Sequence, residues 1–281
     1  MKIILSRKGF DSSAGGVANP IFPDGRLLSL PIPDTSAPLD YGLIHFDGGN
    51  LALLVTQLTK GRMTGAEKAH LDPDLDPYAL PRARSWQPSF GQSGAAQGHL
   101  ISQAVGPGDL FLFFGWFRRI LRDKGVYGFE KTAPDLHVLF GWLQIDRIVD
   151  LNQNRPSPRH WMAYHPHLFG RRGRNNAIYL GRKRLSWPHT HGKIAGAGLF
   201  PRIKPELILT EPNRSRTHWL LPAWFHPDGR RTHLSYHGDP TRWSAHPRGI
   251  RLKSVARGQE YVLNCEDYPE AVDWVRTLFR Q

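Results

Sequence analysis

Cysteine is almost absent from this chain, since Cys265 is the only one among 281 residues. A single cysteine cannot form an intrachain disulfide, and it cannot build a zinc site from several thiolates. Any metal site must therefore rely on histidine and carboxylate ligands. Because so little cysteine is typical of proteins from a reducing compartment, we expect a cytoplasmic protein.

Long hydrophobic runs are also missing. No stretch approaches the roughly 18 apolar residues that a membrane-spanning helix needs. After Lys2 only three apolar residues follow in a row, which is too few for the core of a signal peptide. We therefore expect no membrane partner and no export.

Three motifs that would identify common enzyme classes do not occur. The chain has neither GxxxxGK[ST] nor GxGxxG, so nothing supports a P-loop or a Rossmann domain, and there is no nucleotide-cofactor motif. It also has no GxSxG elbow, which leaves acyl transfer through a serine nucleophile without a positive signal.

Glycine and aromatic residues, by contrast, are plentiful and define a predicted core. Two apolar segments, 94–120 and 136–149, each contain the tripeptide Phe-Gly-Trp, at 114–116 and 140–142. A glycine inside a strand usually marks a bulge, a bend or a close approach. We therefore predict an α+β fold: a strongly bent, mostly antiparallel sheet or a small barrel-like core.

Around this core the sequence predicts a few short helices and long ordered loops, since there are 28 glycines and 23 prolines. Residues 268–280 carry the spacing of an amphipathic helix that closes the chain. Leu51 to Leu58 suits either a short helix capped by Asn50 or a buried strand. The whole chain, residues 1–281, is expected to form a single domain.

The charge is strongly positive. Lys and Arg outnumber Asp and Glu by 37 to 24, which gives a formal net charge of +13. Such a balance suits a nucleotide or nucleic-acid partner, although a merely basic enzyme would show it too. Arginines interleaved with aromatic rings are typical of sites that hold phosphates and stack bases. The predicted substrate-binding residues are Arg7, Trp116, Trp142, Arg171, Arg174 and Asn176.

Histidine is abundant, with 14 residues, and several lie beside carboxylates. His70 and Asp72 share a proline-stiffened loop, and one histidine with carboxylates is ligand chemistry of a non-haem iron or similar site. His165 and His167 form a His-x-His pair suited to chelation, as do His189 and His191. We predict a divalent transition metal (Fe, Mn or Zn) at His70, Asp72, His165 and His167. The alternatives are backbone capping by the aspartates and a polar surface tract around the histidine pairs.

Three further residues are candidates for catalysis. Lys8 and Asp11 directly follow the first predicted strand, where they can contact a substrate, or else form a salt bridge and cap a turn. His137 begins an apolar strand and is either a core histidine or a base facing a cavity beside Trp116 and Trp142.

Several segments together resemble a known family. They are SRKGFDSS at 6–13, LLSLPIP at 27–33, HLDPDL at 70–75, GDLFLFFGWFR at 108–118, LHVLFGWLQ at 136–144, HPH at 165–167, and GQEYVL and YPEAVDW near the end. The resemblance is to the third of the nucleotide-modification-associated domain families of bacteria and phages, and it spans essentially the whole chain. It implies a nucleotide or DNA modification context without a catalytic residue set.

The sequence leaves three functions open. The first is metal-dependent modification of a nucleotide or base. The second is a non-catalytic barrel that reads modified bases, for which GDLFLFF and VLFGWLQIDRI resemble small RNA-binding barrels of the pseudouridine-synthase-and-archaeosine-transglycosylase type. The third is metal-dependent oxidative tailoring of a peptide or small metabolite. Histidine richness favours an enzyme.

Overall fold

A computed structural model describes residues 1–157, 160–170, 173–186, 194–226, 233–255 and 260–280. Within these ranges the α-helices are α1 (Leu51–Leu58), α2 (Gly94–Ser102) and α3 (Glu270–Phe279). Short 3-10 helices span Tyr41–Leu43, Pro166–Leu168, Pro205–Leu207, Ala223–Phe225 and Pro240–Arg242. The few short helices and the C-terminal helix are confirmed.

Sixteen strands are formed by the described residues. They are β1 (Lys2–Arg7), β2 (Asn19–Ile21), β3 (Ile32–Pro33), β4 (His45–Phe46), β5 (Gly49–Asn50), β6 (Ala69–His70), β7 (Ser89–Gln92), β8 (Leu110–Asp123), β9 (Val126–Phe129), β10 (Leu136–Asp150), β11 (Ala177–Gly181), β12 (Ala197–Leu199), β13 (His218–Leu221), β14 (Trp243–His246), β15 (Gly249–Lys253) and β16 (Glu260–Asn264).

The main sheet is open, so the barrel-like alternative was wrong. Its order is β16-β1-β8-β10-β11-β7, with β2 and β9 also on β8 and β12 also on β10. Among the described residues no pairing joins β16 to β7. Most pairs are antiparallel as predicted, but β1 and β2 run parallel to β8, so the sheet is mixed.

The two Phe-Gly-Trp strands are neighbours. β8 and β10 pair antiparallel along most of their length, and the register shifts between Leu139 and Gly141. This irregularity is the bulge that a strand glycine predicts. Side chains of both strands build the main hydrophobic cluster, in which Phe111, Phe113 and Phe114 are completely buried. The long central strands are therefore rigid and hold the shorter elements that carry polar residues.

Candidate metal centre and adjoining cavity

Three short elements bring a histidine-carboxylate cluster together. β6 ends at His70 and pairs with β3, which places His70 opposite Ile32. Asp72 follows two residues later, and its Oδ1 accepts a hydrogen bond from the backbone N–H of Gly91 in β7 at 2.8 Å. The 3-10 helix Pro166–Leu168 then brings His167 over the same strand.

Candidate ligand atoms of His70, Asp72 and His167 all lie within 4.8 Å of one another. Oδ2 of Asp72 is 3.8 Å from Nε2 of His70 and 3.6 Å from Nε2 of His167. Two bonds of about 2.1 Å to one ion separate their outer atoms by roughly 3 to 4 Å, so these spacings fit a shared cation. We call these three residues the triad.

Hydrogen bonds on the far side of each ring determine which nitrogen faces the cluster. Nδ1 of His70 lies 2.8 Å from Oδ2 of Asp34, and because the carboxylate only accepts, Nδ1 donates. Asn176 donates through Nδ2 to the carbonyl of His167 and accepts from its Nδ1 at 2.7 Å. In both neutral rings Nε2 therefore keeps its lone pair. Such outer partners are typical of metal-binding histidines.

His165 faces the same carboxylate, but as a different tautomer. Its Nδ1 accepts from the backbone N–H of His167 at 3.3 Å, so in the neutral ring the proton sits on Nε2. That atom is 3.6 Å from Oδ1 of Asp72 and has no hydrogen-bond partner among the described residues. His165 thus lies with the triad, but this arrangement suits a donor to Asp72 better than a ligand. His165 caps the 3-10 helix in which His167 lies.

Electrostatics at the cluster favour a cation. Burial alone would raise the pKa of Asp72, but His167 and His70, with a further contribution from His165, hold it well below its usual range. Burial disfavours the charged form of His70, yet Asp34 and Asp72 outweigh this and raise its pKa to about 9. Without an ion this ring is therefore protonated on both nitrogens at neutral pH, and a bound ion would have to displace the Nε2 proton. Burial lowers the pKa of His165 to about 3, so that ring is neutral. A buried carboxylate thus stays ionised among imidazoles.

A cavity of about 280 Å³ opens onto the triad. Its walls include Arg7 and Lys8 at the end of β1, Asp11 and Ser13 in the next loop, and Ser93 before α2. Nζ of Lys8 donates to Oε1 of Glu260 at 2.8 Å. The predicted catalytic residues Lys8 and Asp11 and the predicted substrate contact Arg7 therefore share one space with the triad.

Asp11 also has a local structural role. Its carboxylate accepts from the backbone N–H groups of Ser13 and Ala14 at 2.7 and 2.8 Å, as in the turn-capping alternative. Burial alone would raise the pKa of Asp11, but hydrogen bonds from Ser13 and Ala14 together outweigh it and lower the pKa, so the group remains charged. Lys8 pairs with Glu260 and not with Asp11.

The remaining predicted site residues lie elsewhere. Nδ1 of His137 accepts from the indole N–H of Trp219 at 3.0 Å, and burial lowers the pKa of His137 to about 3. Trp142 packs against Phe200 and Phe279. The Trp116 ring lies 4.3 Å from the Arg216 guanidinium, and its indole N–H donates to Asp135. None of His137, Trp116 and Trp142 lines the cavity at the triad.

Two predicted substrate contacts remain. Arg174 and Asn176 line a different cavity, described below. Arg171 and the pair His189 and His191 lie outside the described residues.

Comparison with known families supplies the functional context. The family described as nucleotide modification associated domain 3 matches residues 2–264. The chain belongs to this family. Comparisons with curated proteins and with solved structures gave no match. The match to nucleotide modification associated domain 3 confirms the resemblance seen in the sequence, and it covers the triad, His165 and the cavity-lining residues. It supports a role in nucleotide modification and a nucleotide or nucleic-acid substrate.

In the part of the chain that the structure describes, no helix has both the length and the apolar character needed to cross a bilayer.

Proposed function

We propose that the protein is a metal-dependent enzyme that modifies a nucleotide or a nucleic-acid base. The observation that carries the proposal is the convergence of His70, Asp72 and His167, with the hydrogen bonds of Asp34 and Asn176 directing two imidazole lone pairs inward. Two histidines and one carboxylate form the ligand set of non-haem iron(II) sites, and manganese and zinc accept the same donors.

Such an ion, bound by the triad, would supply a Lewis acid with open positions for a substrate oxygen or nitrogen. The protein residues provide the remainder of the site. Lys8 is largely buried and held by Glu260, so its ammonium group is fixed at the cavity wall. Together with Arg7 it offers positive charge to a substrate phosphate. Nε2 of His165 lies 3.6 Å from Oδ1 of Asp72, where a small shift would let it donate to the carboxylate and keep it oriented.

A non-catalytic base reader would need rings open to a base. Of the two rings predicted for substrate contact, Trp142 is buried against Phe200 and Phe279, and Trp116 carries the Arg216 guanidinium over its ring. The enzyme is therefore the better supported function. Oxidative tailoring of a peptide or metabolite would use the same triad, and the experiment below separates the two.

The test uses full-length protein without a histidine tag, stripped with a chelator and reloaded separately with Fe(II), Mn(II) and Zn(II). Each form is incubated with nucleotides, single-stranded DNA and RNA, followed by digestion to nucleosides and mass spectrometry. We expect a nucleoside of altered mass with at least one metal for the wild type and for His45→Ala, which removes an exposed histidine. His167→Ala should give none. Unaltered nucleosides with every metal would overturn the proposal.

A further inference from the structure

A second cavity, of about 490 Å³, lies beside the first and is unusually rich in amide side chains. Five asparagines and glutamines contribute to its wall, together with one arginine. We call these residues the amide groove: Gln97, Asn152, Gln153, Arg174, Asn175 and Asn176. The two cavities share neighbouring structure, because Ser93 and Gln97 lie about one turn apart at the start of α2, and Asn176 binds the triad residue His167.

Some of these amides already form hydrogen bonds within the protein. Both polar atoms of the Asn176 side chain bind His167, and Oδ1 of Asn152 accepts from the backbone N–H of Asn176 at 2.7 Å. Asn152 and Asn176 are therefore structural. The side chains of Gln153 and Asn175 are exposed and make no hydrogen bond within the described residues.

Gln97 is the most informative member. Only 4% of the residue is exposed, and its Oε1 accepts from the hydroxyl of Tyr179 at 2.9 Å. This bond fixes the amide, so the Nε2 donors point in a set direction. They have no hydrogen-bond partner among the described residues, although the residue lines the groove. Because the rest of the side chain is packed and its oxygen is held by Tyr179, the Nε2 donors face the groove, where they are placed to donate to a ligand acceptor.

Apolar side chains also line the groove, namely Ile101, Val105 and Ile148. Ile101 follows Gln97 by four residues on the same face of α2, and 57% of its surface is exposed. A nucleobase is a flat apolar ring with donors and acceptors along its edges, so it matches a groove lined by both apolar side chains and amides. Asparagine and glutamine pair with base edges through two hydrogen bonds. Arg174, at the rim, can bind the phosphate next to such a base.

We propose that the amide groove binds a nucleobase of the substrate strand, with Gln97, Gln153 and Asn175 contacting its edge and Arg174 its phosphate. This inference rests on the proposed function for its substrate class. The inference assigns recognition of the base to the amide groove, which is separate from the metal site and from Lys8. Asn176 connects the two, since it lines the groove and holds the ring of His167.

The test compares binding of two single-stranded 10-mers that carry the same phosphates, one with normal bases and one abasic. Asn175→Gly is a clean variant because Asn175 has φ 59°, a conformation that glycine adopts without strain. Gln153→Ala removes a second exposed amide. The matched control is Asn213→Gly, an exposed asparagine with φ 61° that does not line the groove.

We expect the wild type and Asn213→Gly to bind the normal 10-mer at least about tenfold more tightly than the abasic one, the scale of one good base contact. The double variant Gln153→Ala with Asn175→Gly should show a clearly smaller preference for the normal 10-mer, because only the Gln97 donors then still meet the base edge. A wild type without preference for bases, or a double variant that keeps the full preference, would overturn the inference. Metal content measured on the same samples reports on the proposed function separately.

Discussion

At the scale of single residues, Gly91 shows how closely the triad is packed. A Cβ added to Gly91 would lie 2.3 Å from Cδ2 of the His167 ring, which is too close for both to stay in place. The backbone N–H of the same residue holds Asp72. One glycine therefore sets the position of two triad residues.

We predict that Gly91→Ala weakens metal binding by at least about tenfold, the scale seen when the support of a metal ligand is lost. The measurement is the metal dissociation constant from competition with a chelator of known affinity. Gly128→Ala is the matched control, because this β9 glycine has no atom within 4 Å of an added Cβ. Equal metal affinity of the two variants would show that the His167 ring does not need the space that Gly91 leaves free.

Sequence reasoning named His70, Asp72, His165 and His167 because histidine and carboxylate types carry a chemical signal. It missed Asp34 and Gly91. Asp34 reaches His70 only through the pairing of β3 with β6, and two-residue strands leave no periodic pattern to read. Gly91 looks like any strand glycine until the ring above it is known. Asn176 was named for substrate contact, whereas its side chain holds His167.

At the scale of elements, a buried polar cluster joins the two loops that carry the triad. Asp74 lies in the loop of Asp72, and Tyr164 precedes His165. The Tyr164 hydroxyl donates to Oδ2 of Asp74 at 2.6 Å, and Arg82 donates to both oxygens of Asp74 and to the hydroxyl. Trp86 donates its indole N–H to the same two groups. This cluster fixes the separation of the two loops.

We predict that Tyr164→Phe lowers metal affinity by about tenfold while the protein still folds, because Arg82 continues to neutralise Asp74. Tyr78→Phe provides the control, since Tyr78 is 83% exposed and belongs to the same loop as Asp74. Absorption spectra of Co(II)-loaded protein check whether the ligand geometry has changed. If Tyr164→Phe lowers the melting temperature but leaves metal affinity and the Co(II) spectrum unchanged, the cluster stabilises the fold and does not position the metal ligands.

Elements with a clear period were predictable, and those without one were not. The spacing of Leu51, Leu54, Val55 and Leu58 is helical, and α1 buries all four while Asn50 caps it through Ala52, so the helix alternative is confirmed. The prediction of a barrel-like core was wrong, because a bulge indicates local bending of a strand but does not determine whether the edge strands of the sheet pair with each other. The parallel pairing of β1 with β8 depends on contacts far apart in sequence.

At the scale of the whole molecule, the triad connects segments that are distant along the chain. His70 and Asp72 come from the end of the small β3-β6 sheet, and His167 comes from a 3-10 helix. The net charge of +13 and the family match agree on a phosphate-bearing partner. Neither identifies the reaction, since charge reports on association and a fold hosts many chemistries. The proposed activity therefore depends on the metal centre itself.

The most direct test is the metal content per chain of untagged protein, measured by inductively coupled plasma mass spectrometry after reloading and removal of free ions. The wild type and His45→Ala should each retain about one divalent transition-metal ion, as a complete ligand set holds it through dialysis. Asp72→Ala and the double variant His70→Ala with His167→Ala should retain almost none, while their circular dichroism stays that of folded protein. Metal-free wild type, or equal content in all four proteins, would mean that the triad is not a metal centre.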